Sequence, residues 1–148
     1  MKVWYGNEKS YDAVLDAQVQ LKALLKASPG LEAFDPPSLL EVEDGMGFVN
    51  IAGSLIEGSA GWLSMFGVTG YDDIAEALLE GVGDKSVKSI VLKVKSPGGD
   101  AKGVRQLGDL IKNVGMVKPV NVHADTIGSA AYWLGSAGGH ITLDEMGL

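Results

Sequence analysis

Hydrophobic positions along the chain recur at helical spacing in some segments and at strand spacing in others. Residues 10–27 and 71–82 carry apolar side chains at intervals of three and four, which predicts two amphipathic helices. Residues 47–56 and 87–94 are short runs rich in β-branched side chains, which predict two strands. Weaker patterns predict a helix at 101–113, a strand at 117–124, a short helix at 129–137 and a strand at 139–143.

The order of these elements indicates the fold class. From residue 47 onwards strands and helices alternate, which is typical of an α/β fold with a parallel sheet. In this sequence the last predicted strand has no helix after it. We therefore expect an α/β fold that is incomplete on its C-terminal side, with an additional helix at the N-terminus.

The beginning of the chain differs from the rest. Ser10 is a candidate N-cap of the first helix, and the Pro-Gly pair at 29–30 ends it. The prolines at 36–37 favour an extended linker. We expect residues 1–40 to form a helical arm with its linker, and residues 41–148 to form part of one domain. The arm packs either on its own domain or on a neighbouring subunit, and the pattern leaves both open.

The loop at 57–70 is apolar as well as rich in glycine. It contains the large side chains of Trp62, Leu63, Met65 and Phe66. A loop of this composition either folds onto the core or forms a flap over a binding groove. The sequence does not choose between these two structures.

Composition and charge narrow the function classes. The 148 residues are 46% hydrophobic and 21% charged, which is the balance of a globular protein. A net charge of -7 disfavours nucleic acid and anionic membranes as partners. The absence of cysteine excludes disulfides, thiolate catalysis and zinc-thiolate sites. The sequence has no signal-peptide pattern and no stretch of about 20 apolar residues, so we expect a cytoplasmic protein.

The first segment with candidate chemistry is Ser96-Pro97-Gly98-Gly99, predicted to lie between a strand and a helix. Two glycines after a proline allow backbone angles that are closed to other residues. Their N–H groups, at a helix N-terminus, would suit an anionic oxygen such as the oxyanion of acyl transfer or a thioester carbonyl. Taken alone, the same four residues are typical of an ordinary turn.

The second segment is Gly128-Ser129-Ala130-Ala131, also predicted at a junction of strand and helix. The hydroxyl of Ser129 would lie over the positive end of the helix dipole, and the N–H of Ala130 would contribute to an oxyanion hole. The small neighbours leave room for a substrate backbone. The alternative is that Ser129 is only an N-cap, worth about 1 kcal/mol.

Together the two segments resemble a known family. KSIVLKVKSPGGDAKGVRQLGDLI followed by KPVNVHADTIGSAAYWLGSAGGHITL is similar to the core of the signal peptide peptidase A family of serine proteases, which have the ClpP/crotonase superfold. The resemblance covers about residues 46–143, and the leader without a membrane anchor is similar to phage head-maturation proteases. The sequence departs from the family pattern at Lys95, where an acid is common, and at Ala130-Ala131, where some members have glycines.

The resemblance implies a repeated β-β-α spiral with a parallel sheet and a set of site residues. Ser129 would be the nucleophile, and oxyanion donors would be the N–H groups of Ala130 and of Gly98 or Gly99. Ser96 and Pro97, with the two glycines, would line the channel in which a substrate strand pairs through main-chain hydrogen bonds.

A serine hydroxyl needs a base near neutral pH, and the resemblance implies a lysine in that role. We expect this lysine beyond Leu148. The histidine of a ClpP-like triad would also lie beyond Leu148. We expect surface or structural roles for five basic side chains that are present, namely Lys93, Lys95, Lys102, His123 and His140. Asp125 could orient either histidine.

The leading hypothesis is a serine endopeptidase that acts on a protein or peptide, such as a capsid or scaffold protein, without a cofactor or a metal. We expect a homo-oligomer with no nucleic-acid or membrane partner, inactive in these 148 residues alone. In a phage, its location would be the host cytoplasm or the virion precursor. The alternatives are a catalytically inactive assembly protein of the same fold and a crotonase-like acyl-CoA enzyme, which would need no serine at position 129.

Overall fold

A computed structural model describes residues 4–5, 8–28 and 35–148. The strands are β1 (Trp4–Tyr5), β2 (Leu40–Glu43), β3 (Met46–Ile56), β4 (Val68–Gly70), β5 (Ser89–Asp100), β6 (Val120–Ile127) and β7 (Ile141–Leu143). The helices are α1 (Glu8–Ala27), α2 (Tyr71–Gly83), α3 (Val104–Gly115) and α4 (Ser129–Gly135), and a 3-10 helix spans Gly61–Phe66.

The described strands form one mostly parallel sheet. Its central order is β2-β3-β5-β6-β7, with β1 paired to β5 and β4 paired to β3. Strands β3, β5, β6 and β7 are parallel to one another, and helices α2, α3 and α4 connect them in turn. Strands β1 and β2 are antiparallel to their partners. The predicted α/β class is therefore confirmed.

The main hydrophobic core lies between the sheet and helices α2 to α4. Along β5, Ile90, Leu92 and Val94 are buried in this core, whereas the alternating Lys93 and Lys95 are exposed. Alternation of this kind places successive side chains of a strand on opposite faces of the sheet. The helices therefore cover one face, and the charged side chains of β5 lie on the other.

Helix α1 packs on a second cluster of its own chain. Val14 and Ala17 are buried there with Ile56, Leu63 and Val68. Leu63 belongs to the 3-10 helix within the loop at 57–70. This loop is therefore folded against α1. The prediction of Ser10 as N-cap is wrong, since the helix already begins at Glu8. The predicted stop at residues 29–30 lies outside the described residues.

The prediction that residues 96–99 form a turn opening a helix at 101 is wrong. Strand β5 continues to Asp100, and the next helix begins only at Val104. The reason is that β5 remains paired with β3, in the register Leu55 to Gly99. A Cβ at Gly99 would lie 1.9 Å from the carbonyl oxygen of Leu55, so only glycine allows the two strands to stay together here.

Strands β6 and β2 also differ from the predictions. Strand β6 begins at Val120 rather than at 117, because the N–H groups of Val117 and Lys118 donate to the carbonyl of Val114 and prolong the end of α3. Strand β2 was not predicted. It pairs with β3 and is joined to it by Asp44 and Gly45, whose φ values of 49° and 80° are typical of a type I′ hairpin turn.

Candidate active site

The two segments with candidate chemistry are in direct contact. Strands β5 and β6 remain paired up to Ser96 and Ile127. The N–H of Gly128 then donates to the carbonyl of Ser96 at 3.0 Å, and a Cβ at Gly128 would lie 3.0 Å from the carbonyl oxygen of Pro97. Ser129, the next residue, therefore lies beside the Pro-Gly-Gly segment.

Ser129 has an unusual backbone conformation. Its φ is 50°, and among the described non-glycine residues only Asp44 shares a positive φ. The left-handed region costs a residue with a Cβ roughly 1–2 kcal/mol, and such strain is concentrated at functional sites. Gly128, with no side-chain cap bond, occupies the N-cap position of α4. The structure therefore does not place Ser129 as the N-cap of this helix.

The chain beyond Ser129 turns directly into a buried helix. The carbonyl of Gly128 accepts the N–H groups of Ala131 at 2.9 Å and Tyr132 at 3.4 Å. Ala130 and Ala131 are buried, whereas Ser129 itself is exposed. The N–H of Ala130 belongs to the first helical turn, where N–H groups have no acceptor within the helix. It is therefore a hydrogen-bond donor adjacent to an exposed hydroxyl.

Ser96 stabilises the segment from within. It is fully buried, and its hydroxyl donates to the carbonyl of Gly53 at 2.6 Å. The same oxygen accepts the N–H of Gly98 at 3.1 Å. The hydroxyl of Ser96 thus connects β3 to the Pro-Gly-Gly segment, and the N–H of Gly98 already has a partner within the protein.

Asp100 is a residue of this region that the sequence analysis missed. It is fully buried, and its Oδ2 accepts the N–H of Glu57 at 3.0 Å. Its main-chain carbonyl accepts the hydroxyl of Tyr71 at 2.5 Å. Burial, and then the charge of Asp100, raise the pKa of Tyr71 far above its usual value, so this hydroxyl remains a donor. An acid directly after Pro-Gly-Gly was the available signal in the sequence.

The lysines near the candidate site are held in ion pairs. Lys95 contacts Asp125 at 2.9 Å, and Lys102 contacts Glu57 at 2.7 Å. The hydrogen bond to the carboxylate raises the pKa of each lysine, and the bond from Lys95 lowers the pKa of Asp125. A lysine base needs the opposite shift, which burial away from acids produces.

Two further basic side chains, Lys93 and His123, lie on the sheet face away from helices α2 to α4. Lys93 lies over the ring of Phe48, 4.3 Å from its centroid. The Nε2 of His123 is 3.0 Å from Asp144, and its Nδ1 is 3.0 Å from the hydroxyl of Thr142. Asp125 therefore pairs with Lys95 rather than orienting His123. The other histidine, His140, is exposed just before β7.

The edge of β5 beside Ser129 accepts an extended strand. One edge of β5 is paired with β3 as far as Gly99, and the other is paired with β6 as far as Ser96. Beyond the point where β6 ends its pairing, strand β1 pairs with β5 in the antiparallel direction. Tyr5 lies opposite Gly99, and Trp4 lies opposite Asp100. A strand thus pairs with the Pro-Gly-Gly segment on the side where the chain turns towards Ser129.

In the part of the chain that the structure describes, no group of three or more His, Cys, Asp or Glu side chains is arranged to hold a metal ion. None of the helices described there is both long enough and apolar enough to cross a membrane.

Solved structures with a similar fold are found among enoyl-CoA hydratases. A member of the enoyl-CoA hydratase/isomerase family matches with a TM-score of 0.53 at 15% identity, covering 72% of this chain and 46% of that one. A protein from Acinetobacter baumannii, assigned to the same family, matches with a TM-score of 0.51 at 20% identity, covering 76% of this chain and 51% of that one. At these identities the likeness shows the ClpP/crotonase fold alone.

Sequence relatives are found among proteases, although no protein-family model matches the chain. The head-tail preconnector protein GP5 of Enterobacteria phage P21 is 34% identical over 69% of this chain, and Protease 4 of Haemophilus influenzae is 34% identical over 98%. The capsid assembly protease C of Escherichia phage lambda is 31% identical over 62%. The chain spans only 21% to 27% of the length of these relatives.

The relatives and the fold agree with the two motifs that meet at Ser129. The sequence matches cover a bacterial protease and phage capsid-assembly proteins, and the structural matches have the fold that the resemblance implied. The chain therefore belongs to the signal peptide peptidase A family of proteases, together with the phage capsid-assembly proteases.

Proposed function

We propose that this chain carries the nucleophile of a serine endopeptidase, and that the nucleophile is Ser129. The observation that supports this most strongly is the conformation of Ser129 at its contact with the Pro-Gly-Gly segment. An exposed serine with φ 50° follows a glycine that packs on Pro97. A strained serine between a strand and a helix is the arrangement of nucleophilic serines in other hydrolases.

The groups around Ser129 suit acyl transfer. The hydroxyl would attack the scissile carbonyl and form an acyl-enzyme, while the amine leaves with a proton that the base has taken from the serine. The N–H groups of Ala130 and of Gly98 or Gly99 would stabilise the oxyanion. The bond between Gly98 and Ser96 favours Gly99 or Ala130 over Gly98 as the donor.

The substrate would bind as an extended strand. Strand β1 supports this, because it pairs with Gly99 and Asp100 at the edge beside Ser129. Main-chain pairing at this edge would align a polypeptide with the nucleophile, and Ser96 and Pro97 would shape the channel from below. The phage relatives favour a capsid or scaffold protein of the same assembly, in the host cytoplasm or the virion precursor, as the substrate.

The base of this reaction is proposed to be a lysine outside these 148 residues, as the resemblance implies. The described lysines near the site support this, since Lys95 and Lys102 are exposed and bound to carboxylates. The 148 residues alone would then hydrolyse peptides slowly or not at all. A crotonase-like acyl-CoA reaction has less support, because the enoyl-CoA hydratases share the fold at only 15% to 20% identity.

A fluorophosphonate probe, which reacts with activated serines, tests the nucleophile. In the complete natural polypeptide we expect labelling at Ser129, and Ser129→Ala should lower it by at least about 1,000-fold. Ser136→Ala is the matched control, because Ser136 is an exposed serine at the other end of α4 and should leave labelling unchanged. Undiminished labelling of the Ser129→Ala variant would overturn the assignment, and an unreactive natural polypeptide would favour the inactive assembly protein.

A further inference from the structure

Helix α1 has a second apolar stripe on the face away from its own domain. Val14 and Ala17 are buried against the rest of the chain. Tyr11, Leu15 and Val19 are 38%, 42% and 67% exposed. Because these three residues are spaced by four, they form one line along the helix surface. A soluble helix usually carries polar residues on such a face.

The stripe has opposite charges at its two ends. Glu8 lies one turn before Tyr11, and Lys22 lies one turn after Val19 on the same line of the helix. Both side chains are exposed. Glu8 and Lys22 are each two helical turns from Leu15, so the stripe has its charges placed symmetrically about its central leucine.

We propose that this stripe is the contact surface of a homodimer, in which the α1 helices of two copies pack antiparallel about a two-fold axis at Leu15. In this arrangement Leu15 meets Leu15 of the second copy, and Tyr11 meets Val19 of the second copy. Glu8 of each copy lies opposite Lys22 of the other. The inference concerns assembly and does not depend on the proposed protease activity.

Charge complementarity identifies a second copy of this chain as the occupant. An isologous interface requires one patch to match itself after a two-fold rotation, and the order acid, apolar, base along this stripe does so. A parallel pair would instead place Glu8 against Glu8 and Lys22 against Lys22, which is unfavourable. Lys26 extends the basic end of the same helix by one further turn.

The size of the surface sets the expected strength of the dimer. Three partly exposed apolar side chains per copy form a contact well below the area of a standard stable interface. We therefore expect a concentration-dependent dimer with a dissociation constant between about 10 µM and about 1 mM for this helix pair.

Sedimentation equilibrium of the 148-residue chain tests the apolar contact. Leu15→Glu should weaken self-association at least tenfold, because it places two like charges at the symmetry axis. Gln20→Glu is the matched control, since it adds the same charge to an exposed position of α1 on a different side of the helix. Equal association of the two variants, or a wild-type chain that stays monomeric at about 1 mM, would refute the dimer.

Charge exchange tests the proposed pairing. Glu8→Lys and Lys22→Glu should each weaken self-association, because each variant places like charges opposite one another across the axis. An equimolar mixture should recover dimers, now formed by one copy of each variant, since both pairs are again opposite in charge. A mixture that associates no better than its components would contradict this pairing.

Cross-linking distinguishes the antiparallel from the parallel arrangement. The chain has no cysteine, so each introduced cysteine is unique. Under mild oxidation a mixture of Tyr11→Cys and Val19→Cys chains should form disulfide-linked dimers faster than either chain alone. Faster linkage of each variant with itself would indicate a parallel pair and overturn the proposal. Circular dichroism of each variant checks that these exposed substitutions leave the fold intact.

Discussion

At the scale of the single residue, the backbone conformations of Gly128 and Ser129 are the reverse of those that glycine and serine prefer. Gly128 has φ -114°, which any residue adopts, whereas Ser129 has φ 50°, which favours glycine. A chain selected for stability alone would place glycine at position 129. A serine here, at a cost in folding free energy, therefore supports the proposed role of its hydroxyl.

This conformation predicts the stability of two variants. Ser129→Gly should be more stable than Ser129→Ala by about 1 kcal/mol, because alanine keeps the strain of the left-handed region and glycine removes it. Urea unfolding of the 148-residue chain, followed by circular dichroism, measures the difference in the free energy of unfolding.

Ser136, at the end of the same helix, provides the control. Its φ of -64° is ordinary helical backbone, so Ser136→Gly should be less stable than Ser136→Ala by about 0.5–1 kcal/mol. If the alanine variant were more stable than the glycine variant at position 129 as well, Ser129 would not be strained.

At the scale of the element, the end of β5 shows what the sequence could predict. The position of the Pro-Gly-Gly segment near the C-terminal end of a strand, and its proximity to Ser129, follow from the alternation of strands and helices along the chain. The continuation of β5 to Asp100 depends on its pairing with Leu55, far away in the sequence. Glycine pairs suit both a turn and a close strand approach, so local propensity could not decide between them.

The missed hairpin has a different cause. The Asp44-Gly45 dipeptide is a strong local signal for a two-residue turn, and the flanking residues pair as β2 and β3. The expected domain boundary near residue 40 lies just before this dipeptide, and no hairpin was expected there. Strand β2 was therefore predictable from the local sequence. The burial of Asp100 was not, because it depends on contacts with Glu57, which is remote in sequence.

The pairing of β1 with β5 leads to a prediction about substrate access. If Gly99 and Asp100 form the edge at which a substrate strand pairs, β1 and the substrate compete for it. Removal of residues 1–5 from the complete natural polypeptide should then raise the labelling rate of a peptidyl phosphonate several-fold.

A small fluorophosphonate without a peptide provides the comparison for this experiment. It needs no strand pairing, so its labelling rate should be the same with and without residues 1–5. An equal increase for both probes would point to a general opening of the structure. No increase for the peptidyl probe would show that β1 does not limit access.

At the scale of the whole molecule, the described part of the chain contains two hydrophobic clusters, which differ in how far the sequence pattern predicted them. The main cluster joins the sheet to helices α2 to α4, and it follows the alternating pattern that predicted the α/β fold. The second cluster joins α1 to the end of β3, β4 and the 3-10 helix. The sequence did not predict what α1 packs against, because a helix with apolar residues on two faces can pack on its own domain and on a second copy.

The second cluster predicts that α1 unfolds together with the rest of the domain. Val14→Ala should lower the free energy of global unfolding by about 2 kcal/mol, since it removes buried apolar atoms and leaves a cavity. Val19→Ala is the matched control on the same helix, because Val19 is 67% exposed, and it should change that free energy by at most about 0.5 kcal/mol.

Thermal or urea unfolding of the monomeric chain, followed by near-ultraviolet circular dichroism, distinguishes an integrated helix from a separate arm. The main core contributes to this signal through Tyr71 and α1 through Tyr11. A single transition that shifts with Val14→Ala means that the sheet and α1 form one cooperative unit. If Val14→Ala left the main transition unchanged, α1 would be a separate arm, and residues 35–148 would retain their full stability without it.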